Sequence, residues 1–219
     1  MMSAVASRSS RASNTGKFEQ DFGSVGTRRI YDANTNTWMV KIFPGEFYIT
    51  ANAEETLVTV LGSCVAACIR DPRLGIGGMN HFMLPQGRSG GWGKDSQSTR
   101  FGNFAMEKLI NELLKAGCSR DALEVKLFGG GNVTDSTIAV GTGNAEFALR
   151  YVDDERLRCI AQDLGGRFPR RIHYSPADGK VVRRLLGRDA SGAVVREEIE
   201  HAQRLSSRAP AGEIELFGD

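Results

Sequence analysis

The chain has 219 residues, with 28 Lys and Arg against 26 Asp and Glu, and a formal net charge of +2. A charge balance of this kind gives no reason to expect a nucleic-acid-binding protein. The hydrophobic fraction of 41% can form a substantial core, and the length suits one domain with extensions. The sequence has neither an apolar run of about 18 residues, as a membrane span requires, nor the apolar core of a signal peptide. We therefore expect a cytoplasmic protein without membrane insertion.

The N-terminal part is predicted to be a flexible, basic extension that covers residues 1–36. Residues 1–26 are rich in Ser, Arg, Asn and Gly, and large apolar side chains are scarce before Phe18 and Phe22. This composition is typical of disorder, and docking to an acidic partner is the alternative. We expect the catalytic domain to span residues 37–195 and a C-terminal tail to span residues 196–219.

Four stretches in the first 84 residues predict strands. Residues 38–49 are predicted to form an edge strand interrupted by Pro44-Gly45. Alternation over residues 56–61 predicts a strand that leads to Gly62, Ser63 and Cys64. Two further apolar runs, at residues 64–70 and 75–84, flank an Asp-Pro pair that is typical of a turn. They predict a β-hairpin.

The register of this hairpin decides whether a thiol and an imidazole meet. With a loop from Asp71 to Leu74, Arg70 pairs with Gly75 and the same register places Cys64 opposite His81. Cβ atoms of directly opposed residues lie about 4.5–5.5 Å apart. A slip of one residue would send the two side chains to opposite faces.

A thiol beside an imidazole can attack an amide or an ester. Cys64 would be the nucleophile, and His81 would take its proton and return it to the leaving amine. A third polar group usually orients the imidazole, and Thr59 is our candidate. The backbone N–H groups around Gly62 and Ser63 could stabilise the oxyanion. The alternative is a structural cysteine, because Cys is among the most buried residue types.

The remaining cysteines point neither to disulfides nor to a metal. Four cysteines in a chain of this length do not form a disulfide scaffold, and two on one strand face cannot bridge. A zinc site formed by Cys64, Cys68 and His81 would lack the local ligand pairs of structural zinc sites. We expect no metal.

Beyond the hairpin, the glycine-rich residues 85–100 could overhang the site as a substrate-binding flap, with a plain surface loop as the alternative. Three glycines at residues 129–131 lack the spacing of a phosphate-binding loop. The basic stretch 167–188 is expected to be a solvated strand face or a face that meets an acidic helical partner. The other predicted elements are helices at 101–116, at 144–152 with Asn144 as its cap, and at 192–204, and strands at 123–128, 157–161, 172–174 and 180–186.

The segments LGSCVAACIRDP and GGMNHFMLP resemble the chemoreceptor glutamine deamidase CheD family, which carries a Gly-Ser-Cys, an aliphatic strand, an Asp-Pro turn and a His before Met-Leu-Pro. A weaker likeness follows in order through EVKLFGGG, IAVGTGNAE and DLGGRFPRRIHY, so the resemblance covers about residues 37–195. The element order predicts an α+β fold with helices on one side of a mixed or antiparallel sheet. The resemblance implies a layered α/β/β sandwich.

The resemblance also implies a Cys–His–Thr site that converts receptor glutamine side chains to glutamate and releases ammonia. In it Cys64 is the nucleophile and His81 the general base and acid. Some members have threonine six residues before the cysteine, where this chain has Val58, and Thr59 stands one residue later. A glutamate methyl ester is a second candidate substrate, since it would form the same acyl intermediate.

No metal or organic cofactor is implied by the resemblance. Receptor cytoplasmic domains are the expected partner, and a CheC-type phosphatase is a candidate second partner. One alternative function is a regulatory binding module that docks on receptors or on such a phosphatase with little turnover. Another is a cysteine hydrolase with an unrelated amide substrate. An inert Cys64 would favour the binding module, because a buried structural thiol does not react with mild alkylating agents.

Overall fold

The computed structural model describes residues 28–84, 97–133 and 140–207. Ten strands in these ranges form two sheets of five. The strands are β1 (Arg28–Asp32), β2 (Thr37–Lys41), β3 (Phe47–Thr50), β4 (Glu55–Leu61), β5 (Val65–Asp71), β6 (Ile76–Asn80), β7 (Glu124–Gly129), β8 (Arg158–Leu164), β9 (Arg170–Tyr174) and β10 (Val181–Leu185). The helices are α1 (Gln97–Lys115), α2 (Val140–Asp154) and α3 (Arg188–Ser207), with a 3-10 turn at Arg120–Ala122.

Both sheets are mixed. The first has the order β1-β2-β4-β9-β10, with β2 and β4 parallel and the other neighbours antiparallel. The second has the order β3-β6-β5-β7-β8, with β7 and β8 parallel and the other neighbours antiparallel. The predicted α+β class is confirmed.

Strand β5 shows how the layers are stacked, because it is buried on both faces. Side chains on one face join a core with α1 and α2, and side chains on the other face join a core between the two sheets. Helices therefore cover one side of the second sheet and the first sheet covers its other side, which is the expected α/β/β layering. The residues of this strand and its entry alternate between the cores as follows: Val65, Ala67 and Ile69 towards the helices, and Cys64, Ala66 and Cys68 towards the first sheet.

The ends of the described chain differ in structure from what composition predicted. Residues 28–32 form β1, which pairs along its length with β2, inside the segment expected to be a flexible extension. The Arg29 guanidinium lies over the Trp38 ring and forms an ion pair with Glu55, and these contacts fix the strand. Helix α3 runs across the boundary expected at residues 195 and 196. Residues 1–27 and 208–219 lie outside the described part, and the division into domains stays a prediction.

Two other predicted elements are different in the structure. Residues 38–49 form two strands in different sheets, because the chain crosses between the sheets around Gly45, which has φ +86°. Asn144 lies inside α2 and is fully buried, so the prediction that it caps the helix is wrong. Residues 97–100 of the expected flap belong to α1, and residues 85–96 lie outside the described part. None of the helices within the described ranges has the length and apolarity needed to cross a membrane.

Candidate active site

The β5–β6 hairpin has a register two residues away from the predicted one. Arg70 pairs with Gly77 and Asp71 with Ile76. The prediction that Cys64 and His81 are directly opposed is therefore wrong. The cause is Asp71, which remains in the strand because its buried carboxylate accepts hydrogen bonds from the backbone N–H of Arg73 (3.0 Å) and of Ser119 (3.1 Å).

The shift nevertheless keeps the thiol and the imidazole on the same face. Val65 and Phe82 are paired through two reciprocal hydrogen bonds of 2.9 Å. A shift of two residues preserves the side-chain alternation, so Cys64 and His81 become diagonal neighbours across this pair. Diagonal neighbours in antiparallel strands lie about 7–8 Å apart, which long and aromatic side chains can span. Cys64 is fully buried in the core between the sheets, and His81, which is 2% exposed, contacts Thr59 of β4 in the first sheet.

Thr59 fixes the tautomer of the imidazole. Its Oγ1 lies 2.8 Å from His81 Nδ1 and 2.8 Å from the carbonyl oxygen of Ile42. The hydroxyl has one proton, and the carbonyl can only accept, so the hydroxyl donates to Ile42 and Nδ1 donates to the hydroxyl. The neutral ring therefore carries its lone pair on Nε2, a buried atom without a hydrogen-bond partner in the described ranges. This nitrogen is the one that can take a proton.

The three backbone carbonyl oxygens that precede β5 each accept a hydrogen bond from outside the loop. The carbonyls of residues 62, 63 and 64 accept hydrogen bonds from Gly131 N–H (2.7 Å), the Asn144 side-chain amide (2.8 Å) and Gly130 N–H (2.7 Å), in that order. The neighbouring Gly129 has φ +111°, and a Cβ there would come within 2.1 Å of the residue 64 carbonyl oxygen. The glycine segment 129–131 thus supports the cysteine loop by close backbone approach.

The matching N–H groups converge on a single carboxylate, that of Glu198 in α3. Oε1 accepts from Gly62 N–H and Cys64 N–H, both at 3.0 Å. Oε2 accepts from Ser63 N–H at 3.0 Å and from the Ser63 hydroxyl at 2.7 Å. The loop therefore forms an anion-binding nest of backbone donors beside the thiol.

Burial keeps both reactive groups uncharged while Glu198 is in place. Burial first, and then the Glu198 carboxylate, raise the pKa of the Cys64 thiol well above its ordinary value. Burial lowers the pKa of His81 to about 4, with His201 acting in the same direction and Glu198 against it. The thiol is consequently protonated and the imidazole neutral near pH 7.

Asn144 and Glu198 are the site residues that sequence reasoning missed. Asn144 joins α2 to two site segments, since its amide nitrogen donates to Ser63 and its oxygen accepts from Leu84 N–H at 3.0 Å. An Asn early in a helical stretch is typical of a helix cap, and the local sequence does not distinguish a capping Asn from a buried Asn inside the helix. Glu198 lies 134 residues from Cys64 in sequence, in a stretch of mixed charge.

Three other features considered in the sequence are the cysteines, a metal site and the basic stretch 167–188. The four cysteines are free thiols. No three His, Cys, Asp or Glu side chains in the described segments are grouped so that they could hold a metal ion. In the basic stretch, Arg171 and Arg184 are exposed as expected for a solvated strand face, whereas Arg170 is buried and donates to the Asp163 backbone and carboxylate.

The family model and the sequence relatives found by comparison carry the same family name. The family model described as CheD chemotactic sensory transduction matches residues 83–185. A Rhodopseudomonas palustris protein named probable chemoreceptor glutamine deamidase CheD is 50% identical over 87% of this chain and 89% of its own. A protein of the same name from Halorhodospira halophila is 46% identical over 90% and 91% of the two chains. Among solved structures, a Neisseria meningitidis protein of family-model DUF152 is 10% identical, covers 65% of each chain and has a TM-score of 0.35.

Proposed function

The chain belongs to the CheD family of chemoreceptor glutamine deamidases, and we propose that it hydrolyses receptor glutamine side chains to glutamate and ammonia with Cys64 as nucleophile. The observation that carries this proposal is the nest of three N–H groups at residues 62–64, which holds a glutamate carboxylate beside the thiol. A carboxylate is the product of amide hydrolysis. A nest that binds it also suits the oxyanion of the preceding tetrahedral intermediate.

The first half of the reaction forms a thioester. His81 Nε2 takes the proton of the Cys64 thiol, and the thiolate attacks the amide carbon. The carbonyl electrons move to oxygen, where the nest of N–H groups stabilises the charge. His81 then gives its proton to the amine as the carbon–nitrogen bond breaks, and ammonia leaves. Thr59 acts as a positioning residue, because its hydroxyl holds the proton on Nδ1 throughout.

The second half consumes one water. His81 Nε2 takes a proton from water, and the resulting hydroxide attacks the thioester carbon. The carbon–sulfur bond breaks, the thiolate is reprotonated, and the receptor side chain leaves as glutamate. A glutamate methyl ester would form the same thioester with loss of methanol, which supports methyl esters as a second substrate class. Neither half requires an organic cofactor.

Receptor cytoplasmic domains are the proposed partner, so the reaction belongs in the cytoplasm. The exposed Arg171 and Arg184, directly paired on β9 and β10, support approach to an acidic partner through long-range attraction. A CheC-type phosphatase is a proposed second partner on the basis of the family resemblance.

The test uses a purified receptor cytoplasmic fragment, with ammonia release and peptide mass as readouts. Wild type should convert specific glutamines, and Cys64→Ala should convert none. Cys68→Ala is the matched control, because Cys68 is equally buried in the same core, lies four residues further along the same face and lacks the nest. Conversion by Cys64→Ala at the wild-type rate would refute the proposed nucleophile. Absence of conversion by every form, with a Cys64 that stays inert to alkylation when the receptor fragment is present, would favour the binding module.

A further inference from the structure

Helix α3 buries one stripe of side chains, and Glu198 in this stripe contacts the cysteine loop. Val194, Glu198 and His201 are 8%, 6% and 6% exposed, and their spacing places them on a single helical face. Ile199 on another face is 50% exposed. Of the described side chains in this helix, Val194 is the one buried hydrophobic residue. The buried side chains among the described ones in this helix are therefore mainly polar.

Glu198 is held as a reaction product would be held. Its two oxygens receive four hydrogen bonds from residues 62–64, three of them from backbone N–H groups. Hydrogen bonds to an ionised acceptor are stronger than neutral ones. A glutamine amide would bind less well, because its NH₂ group would face a backbone donor. The nest thus favours a glutamate over a glutamine when the side chain comes from a docked helix.

His201 seals the neighbouring side of the site. A Cβ on Gly45 would meet His201 Cε1 at 2.8 Å, so the imidazole packs directly on that glycine. Gly45 N–H in turn donates to the His81 carbonyl oxygen at 2.7 Å. With Glu198 over the thiol and His201 beside the loop that contacts His81, a protein substrate has no access to either reactive group.

Resting on the proposed function, we infer that α3 is a tethered product analogue that closes the active site, and that a substrate helix must displace it. The geometry supplies both parts of this inhibition. The carboxylate fills the nest that an oxyanion would need, and its charge disfavours ionisation of the thiol beside it. Among the described side chains of α3, Val194 is the one buried apolar group, and so small an apolar contact favours reversible docking.

The first experiment measures iodoacetamide labelling of Cys64 at pH 7 by peptide mass in the full chain. Glu198→Gln replaces a charged acceptor by an amide, and Glu200→Gln makes the same change at an exposed position of the same helix. Loss of charge-assisted hydrogen bonds should shift the docking equilibrium about tenfold or more, so Glu198→Gln should label about tenfold faster than wild type. Glu200→Gln should label at the wild-type rate. Equal labelling of all three proteins would overturn the inference.

The second experiment uses unaltered protein and therefore does not depend on how a variant folds. Hydrogen exchange of α3 is compared with that of α1 before and after a saturating amount of the receptor fragment is added. Exchange should accelerate in α3 and stay unchanged in α1. Conversion of receptor glutamines while α3 keeps its protection would overturn the inference.

The two experiments also separate this inference from the proposed function. Faster labelling of Glu198→Gln, together with no glutamine conversion by any form, would leave the closing role intact and reject the deamidase. Glutamine conversion that is equally fast in wild type and Glu198→Gln, with equal labelling, would support the deamidase and reject the closing role of α3.

Discussion

Replacement of Asn144 by alanine should impair turnover more than substrate binding. The Asn144 amide nitrogen holds the Ser63 carbonyl oxygen at 2.8 Å, and this contact directs the N–H of the following residue into the nest. Without it, the donors lose their fixed direction. An oxyanion exists only in the transition state, so the loss should fall on kcat rather than on KM. Deletion of one oxyanion donor costs about 10²–10³ in kcat. Asn144→Ala only loosens a donor, and we expect a fall of about 10- to 100-fold.

The same substitution should lower the free energy of unfolding by about 2–4 kcal/mol. It leaves the Leu84 N–H without its acceptor in a buried place, which costs about 1–3 kcal/mol. The Ser63 carbonyl is only partly buried, so its loss should cost about 1 kcal/mol, near the lower end of that range. Urea titration measures this change. Steady-state kinetics on the receptor fragment measure kcat and KM.

Asn132→Ala is the control for this prediction. Asn132 is exposed, and its side chain bonds to Thr142 at 3.0 Å away from the nest. Stability and kcat should both stay near the wild-type values in this variant. If Asn144→Ala lost stability while its kcat stayed at the wild-type value, Asn144 would be a structural residue and the argument about the nest would fail.

Three further predictions concern other supports of the site. Thr59→Val should reduce kcat about 100-fold, and Thr59→Ser should restore most of it, because only the hydroxyl fixes the His81 tautomer; pH-rate profiles of both variants check this. Gly129→Ala should destabilise the fold by several kcal/mol and Gly117→Ala by about 1–2 kcal/mol in urea titrations, since both have positive φ but the Cβ at 117 has open space. Burial lowers the pKa of His81 to about 4, so the stability that the neutral ring contributes is complete above about pH 6.5 and is lost as the pH falls through about 4. The loss in the free energy of unfolding amounts to up to about 3 kcal/mol. The midpoints of urea unfolding curves across this pH range should therefore change less in His81→Gln than in wild type. A Thr59→Val enzyme with full kcat, equal costs at the two glycines, or a pH dependence unchanged by His81→Gln would each contradict the corresponding prediction.

Local patterns predicted the faces of the hairpin correctly but not its register. The observed register differs from the predicted one by two residues, an even number, so the predicted alternation still placed Cys64 and His81 on one face. The register depends on where the turn begins, and Asp71 delays it through a hydrogen bond to Ser119, which is 48 residues away. A rule based on the Asp-Pro pair alone cannot predict a hydrogen bond to a residue so distant in sequence, so it starts the loop too early.

The contacts that complete the site are also long-range. Asn144 reaches Ser63 across 81 residues, and Glu198 reaches Cys64 across 134. The spacing of Val194, Glu198 and His201 is helical, but a stripe with one apolar and two polar residues reads as a solvent-facing surface. Its role in the site becomes clear only from the fold, which places three backbone N–H groups around the Glu198 carboxylate.

Preorganisation explains why one site can accept both an inhibitor and an oxyanion. The carbonyls of residues 62–64 are fixed by Gly131, Asn144 and Gly130, none of which belongs to α3. When α3 leaves, the N–H groups therefore keep their direction and lose only their acceptor. Donors that are fixed before the reaction need no reorganisation as charge develops, which is the main source of electrostatic catalysis. The same fixed donors bind any carboxylate, so a deamidase of this design is inhibited by its own product unless that product stays on a helix that departs. Because Glu198 lies on the enzyme's own helix α3, the same affinity for carboxylates controls when a substrate can reach Cys64.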